Sequence, residues 1–334
     1  MATQIDEFKA AWESLTKTPE LEGWRSIPIT SPRGCALRAG ARKPGNEEAV
    51  LAHFQAARHP DAERLPDGQG FSVERVDLHG DGAIWVALSR KTTGSADLFW
   101  AMACDVVGAL DEEPEAESQR LLKIFLGRVR AWQEFMRKGS QPLAAEAEVG
   151  LVGELTVLGN LIEAGVSADV AADAWIGPLG GLRDFEIGTG SIEVKATLSA
   201  AGFPARIGSL DQLDDTVRQP LFVAGVRFCQ VAAGRSLPDC VERLRDIVRG
   251  DNEAERALSE RLLSAGYFDG HAEQYSRRFL HVDTRVVEVV EGFPRLTPSR
   301  VPQGVTRAAY EIDLDRAPSS NIGIAFALNK LGAL

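Results

Sequence analysis

Three charged side chains lie in two short, neighbouring apolar runs and could carry out metal-assisted chemistry. Asp184 belongs to the first run, and Glu193 and Lys195 follow in the second, nine and eleven residues later. Lys195 is the only lysine between Lys138 and Lys330, in a chain that uses 29 arginines against 8 lysines. A lone lysine inside a strand-like run indicates a need for a compact ammonium group that can lose its proton. The guanidinium group of arginine is larger and keeps its proton.

The spacing predicts a β-hairpin that brings the two carboxylates together. A Gly-Thr-Gly sequence separates the runs, and glycine supplies the positive φ that a tight turn requires. With a two-residue loop, Ile187 pairs with Gly190, and Asp184 lies opposite Glu193 on one face, with Cβ atoms about 5 Å apart. Two carboxylates that close repel each other unless a cation lies between them, and a divalent metal ion meets that need. The lysine two residues further on would lie beside the ion and orient or help deprotonate a water molecule.

A helix upstream of the hairpin carries a further acidic residue. Leu151, Leu155, Leu158 and Ile162 form an apolar stripe at helical spacing, and Glu154 lies beside this stripe. A carboxylate in that position costs free energy unless it is paired or binds a metal ion. The alternatives are a carboxylate that reaches solvent at the edge of the stripe and, for the hairpin, a surface ion pair that contributes under about 1 kcal/mol.

The segment 149–197 resembles the PD-(D/E)XK nuclease superfamily, and in particular the bacterial proteins called PD-(D/E)XK motif proteins. The resemblance consists of Asp184, the Glu-x-Lys sequence from Glu193 to Lys195, and the preceding helix with Glu154. Arg183 stands where the name of the motif has proline, a position that varies widely in the superfamily.

The resemblance implies a metal-dependent phosphodiesterase with a restriction-endonuclease-like core, in which helices flank a mixed sheet. It implies that Asp184 and Glu193 bind Mg²⁺ or Mn²⁺, helped by the backbone carbonyl of Val194. Lys195 would position the attacking water near a scissile phosphate, and Glu154 would complete or orient the metal shell from its helix.

The order of apolar patterns along the 334 residues predicts two domains of the α+β or α/β class. Residues 1–110 are expected to form a smaller N-terminal α+β domain, with helices at Ile5–Leu15 and Glu47–Ala57. A bridging helix is expected within 111–142 and the restriction-endonuclease-like domain within 143–300. A further strand is expected near Val170–Trp175, and a C-terminal strand and tail within 301–334.

Composition indicates a cytoplasmic protein without a membrane segment. The charged and apolar fractions are those of ordinary globular proteins. The four cysteines show no metal-binding spacing, and the N-terminal residues show no export signal. The longest apolar stretch, Leu98–Leu110, is too short to span a bilayer. The sequence contains no phosphate-binding P-loop, no dinucleotide-binding glycine motif and no nucleophile elbow.

Net charge leaves two functions open. The chain has 37 basic and 48 acidic residues and a net charge of −11, whereas proteins that bind nucleic acid tightly usually present a basic surface. One function is a nuclease that acts on DNA in bacterial defence or repair, with weak affinity of its own and protein partners from the same operon. The other is a non-catalytic interaction or scaffold protein that keeps the nuclease fold. The acidic balance and the missing proline favour the scaffold, and the four retained chemical positions favour the nuclease.

Overall fold

The computed structural model describes residues 4–17, 22–45, 47–55, 57, 65–318 and 320–334. The chain divides into two compact units, Met1–Ser140 and Gln141–Leu334. Each sheet lies within one unit. Within the described residues, no helix is long and apolar enough to cross a membrane.

The described part of the first unit contains three helices and five strands. They are α1 (Gln4–Thr16), β1 (Gly23–Ile29), β2 (Ala36–Lys43), β3 (Glu47–His53), β4 (Phe71–Asp77), β5 (Ile84–Arg90), α2 (Ala96–Asp111) and α3 (Ser118–Arg137). The strands form one antiparallel sheet in the order β1-β2-β3-β5-β4. The helix expected to bridge the domains is α3, and it lies within this unit, where it packs against α2.

The helix expected at Glu47–Ala57 is wrong, because the segment contains β3 instead. β3 lies between β2 and β5, and Ala49, Val50, Leu51 and Ala52 are completely buried. A central strand covered on both faces has a continuous apolar run, which helical periodicity fits equally well. Position 56 of the segment lies outside the described residues.

The described part of the second unit contains five α-helices and six strands. They are α4 (Ala145–Glu163), α5 (Ala168–Ala174), β6 (Phe185–Ile187), β7 (Gly190–Thr197), β8 (Pro204–Ile207), β9 (Leu221–Arg235), α6 (Leu237–Val248), α7 (Asn252–Ala265), β10 (Phe279–Glu288), β11 (Tyr310–Asp313) and α8 (Ile324–Leu331). Four strands form a sheet in the order β10-β9-β7-β6, and β11 pairs with β8 in a second sheet. β7 runs parallel to β9 and antiparallel to β6, so the larger sheet is mixed. A mixed sheet flanked by helices is consistent with the expected restriction-endonuclease-like core.

Both faces of β7 are covered by other elements. Ile192 and Val194 belong to the apolar core that also contains residues of α4 and α6. Gly153 of α4 lies so close to the strand that a Cβ atom there would be 2.8 Å from the Cβ of Ala196. On the other face, Glu193 is the parallel partner of Val223, which packs in a second core with β8 and β11. Glu193 and Lys195 therefore lie on the face of β7 that points away from α4.

The strand expected near Val170–Trp175 is wrong, since this segment forms α5 and ends at Trp175. Its sequence is rich in alanine, the residue with the highest helix propensity, and Ala171 is completely buried. Within residues 301–334, β11 pairs with β8, and Leu328 of α8 is buried in the core with α4.

The close contact between α4 and β7 predicts opposite effects for the same substitution at two positions of one helix. Gly153→Ala should lower the free energy of unfolding by about 1–2 kcal/mol, because the added methyl group must push α4 away from Ala196. Gly150→Ala should raise it by about 0.5–1 kcal/mol, because no atom lies within 4 Å of the added methyl group. Urea denaturation of both variants measures the difference, and equal effects would contradict the packing described for α4.

Candidate active site

The β6–β7 hairpin has the register that the sequence predicts. Ile187 pairs with Gly190 and Phe185 with Ile192, and Gly188 in the turn has a φ of 57°. Asp184 immediately precedes β6, so the same register continued by one residue places it opposite Glu193. The hairpin therefore brings both predicted ligands to one face of the sheet.

Asp184 is fixed by backbone groups on two sides. Its Oδ2 accepts a hydrogen bond of 2.6 Å from the amide of Val194, which lies between the other two chemical residues. Its own carbonyl oxygen accepts hydrogen bonds from the amides of Ile176 and Gly177, at 2.9 and 3.0 Å. These contacts hold the carboxylate at the start of β6 against the middle of β7.

Glu193 and Lys195 form a close ion pair on the same strand. Lys195 Nζ donates to Glu193 Oε1 at 2.6 Å, and Glu193 is only 2% exposed. Lys195 Nζ also lies 3.4 Å from Oε1 of Gln212, which accepts a further hydrogen bond from the amide of Gly208 at 2.7 Å. Sequence reasoning missed Gln212, because a contact between residues 17 positions apart in a loop leaves no periodic signal.

The electrostatics of the pair follow from burial. Burial, and to a smaller extent the neighbouring Asp184 carboxylate, raise the pKa of Glu193 to about 8, against the opposing effects of Lys195 and Arg183. Burial also raises the pKa of Asp184, against the Val194 amide, Lys195 and Arg183, which favour its ionised form. Both carboxylates are thus harder to ionise than in water, as expected for two acids held side by side away from solvent.

Glu154 is attached to the hairpin through an aromatic residue. Its Oε2 accepts a hydrogen bond of 2.7 Å from the indole nitrogen of Trp175. Trp175 in turn forms a backbone bridge with Phe185, the first residue of β6, and the two rings stack at 6.5 Å. Glu154 is therefore connected through Trp175 to β6, the strand that follows Asp184. Its role in a metal shell stays a prediction, as does that of the Val194 carbonyl.

The donor set suits a hard divalent cation. Within the described residues, no group of three or more histidine, cysteine, aspartate or glutamate side chains could hold a metal ion. Mg²⁺, however, is commonly bound by one or two carboxylates, with water and substrate phosphates as the other ligands. Asp184 and Glu193 provide two such carboxylates, and a bound cation would offset the burial that raises the pKa of both.

Two cavities of the second unit are lined by other residues. One, of about 590 Å³, opens at the carboxyl end of β7 and is lined by Thr197, Leu198, Arg206 and Arg277 among others. The other, of about 460 Å³, lies between α4, α6 and the strands β9 and β10. Neither is lined by Asp184, Glu193 or Lys195.

The raised pKa of Glu193 predicts that the metal-free protein loses stability as pH rises. The unfolded state has the ordinary pKa of about 4.5, and the folded state about 8. The contribution of this group is therefore fully present below about pH 4.5 and lost as pH increases toward 8. Denaturation with a chelator present, at several pH values between these limits, should show a steeper loss for wild type than for Glu193→Gln. Parallel profiles would contradict the burial of an ionisable pair.

Comparison with known proteins supports the assignment of the fold. Residues 8–315 match the family described as "Putative PD-(D/E)XK family member, (DUF4420)". A search of curated proteins found no match, and a search of solved structures also found none. Because the matched segment covers most of both units, the chain belongs to the DUF4420 family.

Proposed function

We propose that the protein is a metal-dependent nuclease that hydrolyses phosphodiester bonds. The observation that supports this function is the convergence of Asp184, Glu193 and Lys195 on one face of the hairpin. An exposed ion pair contributes little to the free energy of folding, and removing two carboxylates and a lysine from water costs more than such a pair contributes. Stability alone therefore does not account for this buried arrangement. Family membership is in accord with the same chemistry.

Each residue has a definite task in this proposal. Asp184 and Glu193 would hold Mg²⁺ or Mn²⁺, together with the carbonyl oxygen of Val194. The bound ion supplies Lewis-acid stabilisation of negative charge on the phosphate and a lower pKa for water. Lys195, held between Glu193 and Gln212, would orient the attacking water. Glu154 orients the shell through the Trp175 contact.

DNA is the proposed substrate, in a bacterial defence or repair pathway. The net charge of −11 favours weak intrinsic affinity, so protein partners from the same operon would deliver the nucleic acid. The cavity at the carboxyl end of β7 begins one residue after Lys195 and contains Arg206 and Arg277, next to Glu146 and Glu311. A cavity lined by both positive and negative side chains is in accord with weak binding of the nucleic acid.

A scaffold protein that keeps the nuclease fold is the second candidate. The observation that favours it is the near-complete burial of Glu193, whose carboxylate is already paired with Lys195. In that case Asp184, Glu193 and Lys195 would stabilise one conformation of the hairpin and bind no metal ion.

The carboxylate pair predicts stabilisation by divalent ions. Millimolar Mg²⁺ or Mn²⁺ should raise the melting temperature, because an ion that binds only the folded state contributes about 2.7 kcal/mol at a hundredfold excess over its Kd. Asp184→Ala should abolish most of the rise and leave the metal-free protein no less stable, because it relieves the repulsion with Glu193. Thermal denaturation with and without metal measures both effects. Equal shifts in wild type and Asp184→Ala would place the ions elsewhere.

Cleavage and metal-binding measurements should distinguish the task of Lys195 from that of the metal ligand Glu193. Lys195→Ala should lower DNA cleavage roughly 100-fold or more and keep metal binding, because the lysine acts on water and not on the ion. Glu193→Ala should lose both cleavage and metal binding. Lys195→Arg should not restore cleavage, since a planar guanidinium is larger and stays protonated. Cleavage should also fall steeply as salt rises.

The cleavage assay requires single-stranded, duplex and branched DNA, and RNA, each with Mn²⁺. Wild-type protein that cleaves none of them, even with its operon partners added, would favour the scaffold over the nuclease. Cleavage that survives Glu193→Ala would indicate a contaminating enzyme or a different site.

A further inference from the structure

The cavity of about 460 Å³ between α4, α6 and the strands β9 and β10 has the dimensions of a small-molecule site. Its floor is formed by residues of the apolar core, which are Val152, Leu155, Phe228, Leu244 and Phe279. Each of these residues is between 1% and 3% exposed. Pockets that bind small molecules combine apolar walls of this kind with a few polar groups in fixed positions. The floor therefore suits an apolar chain or ring.

Gly159 of α4 lines the same cavity and keeps it open. The residue is buried, yet a Cβ atom added to it would meet a single described atom within 4 Å beyond its own helical turns, Leu244 Cδ2 at 3.7 Å. Glycine inside a helix is less favourable than alanine. Close packing requires glycine at Gly153 but does not require it at Gly159. The absence of a side chain at this position leaves space in the cavity.

The polar residues that line the cavity include an unpaired positive charge. Glu163 is the one carboxylate among the described lining residues, and it accepts a hydrogen bond of 2.5 Å from Arg243. Arg235 is exposed, and no described residue forms an ion pair or a hydrogen bond with its guanidinium group. The side-chain amide of Asn160 also has no hydrogen-bond partner among the described residues. A guanidinium group and an amide thus remain available to an anionic ligand.

The charged groups around Arg235 leave this positive charge in excess. The carboxylate of Asp239 lies near Arg235, but it accepts hydrogen bonds from the amide of Ser236 at 2.9 Å and from Arg278 at 3.1 Å. His281 lines the cavity as well, with its Nε2 at 2.7 Å from Thr284 Oγ1. The arginines at 235, 243 and 278 therefore outnumber the two carboxylates beside them by one.

We propose that this cavity binds a small organic anion with an apolar body. The apolar part lies on the floor of the cavity, and the anionic group contacts Arg235 and Asn160. The cavity is on the α4 side of the sheet, whereas Glu193 and Lys195 lie on the opposite face. The inference therefore does not depend on the proposed nuclease function.

Fluorescence titration with anilinonaphthalene sulfonate tests the inference, because the emission of this aromatic anion rises in apolar surroundings. Wild type should bind one molecule per chain with saturation, and decanoate should displace it. Decanol has the same chain without the charge. It should compete roughly tenfold less well than decanoate or worse, because hydrogen bonds between ionised groups are the stronger ones.

Variants of Gly159 test the location of the site. Gly159→Met places a side chain in the cavity and should weaken dye binding roughly tenfold or more, while the protein stays folded. Gly159→Ala is its control, since a methyl group occupies little of the cavity. It should keep the dye affinity within about threefold and raise the melting temperature by about 1–4 °C.

Variants of two exposed arginines test the charge. Arg235→Met should weaken competition by decanoate roughly tenfold and leave competition by decanol unchanged. Arg300→Met is the matched control, because Arg300 is also exposed, has no side-chain partner among the described residues and does not line the cavity. It removes the same charge and should change neither competitor.

The inference is overturned if wild type does not bind the dye, or if decanoate and decanol compete equally well. Dye binding that is unchanged in Gly159→Met, or decanoate competition that falls equally in Arg235→Met and Arg300→Met, would place the ligand elsewhere. Should Gly159→Met fail to fold, the comparison of the two arginine variants still decides the question, since both replace exposed side chains. None of these outcomes alters the proposed nuclease site, which the metal and cleavage measurements test separately.

Discussion

The repulsion between two buried carboxylates is the constraint on which the second unit depends. Asp184 and Glu193 face each other across a hairpin, in a place where an uncompensated charge costs several kcal/mol. The amide of Val194, the ammonium of Lys195 and the guanidinium of Arg183 each stabilise the ionised forms, and still the pKa values of both acids are raised. A divalent cation bound by the pair would favour the ionised form of both acids.

The surrounding elements hold the cluster in place from both sides. α4 approaches β7 closely on one face, because Gly153 has no side chain to separate them. On the other face, Leu213 is completely buried, and its carbonyl oxygen accepts a hydrogen bond of 2.8 Å from Arg295. This anchors the loop whose Gln212 contacts Lys195. The cluster thus lies on a strand that is packed on both faces, and packing of this kind supports a preorganised site.

Local patterns in the sequence predicted the hairpin, its register and the face shared by the chemical residues, because a strand repeats every two residues and a Gly-Thr-Gly turn sets the pairing. The apolar stripe beside Glu154 predicted α4. Periodicity wrongly predicts a helix at β3, because the apolar residues of this strand are buried on both faces. It also wrongly predicts a strand at α5, whose alanines are buried in a helix. The contacts of Arg183 with Asp214 and of Lys195 with Gln212 join residues 31 and 17 positions apart, so no periodicity could have predicted them.

Anomalous diffraction from a crystal soaked in Mn²⁺ is the most direct measurement of whether the carboxylate pair is a metal site. The account predicts one strong anomalous peak within bonding distance of Asp184 and Glu193, about 2.1–2.3 Å from their oxygens, with Lys195 Nζ close to a water molecule on the ion. An empty site at a Mn²⁺ concentration that saturates surface sites elsewhere, with Lys195 still paired to Glu193, would contradict it.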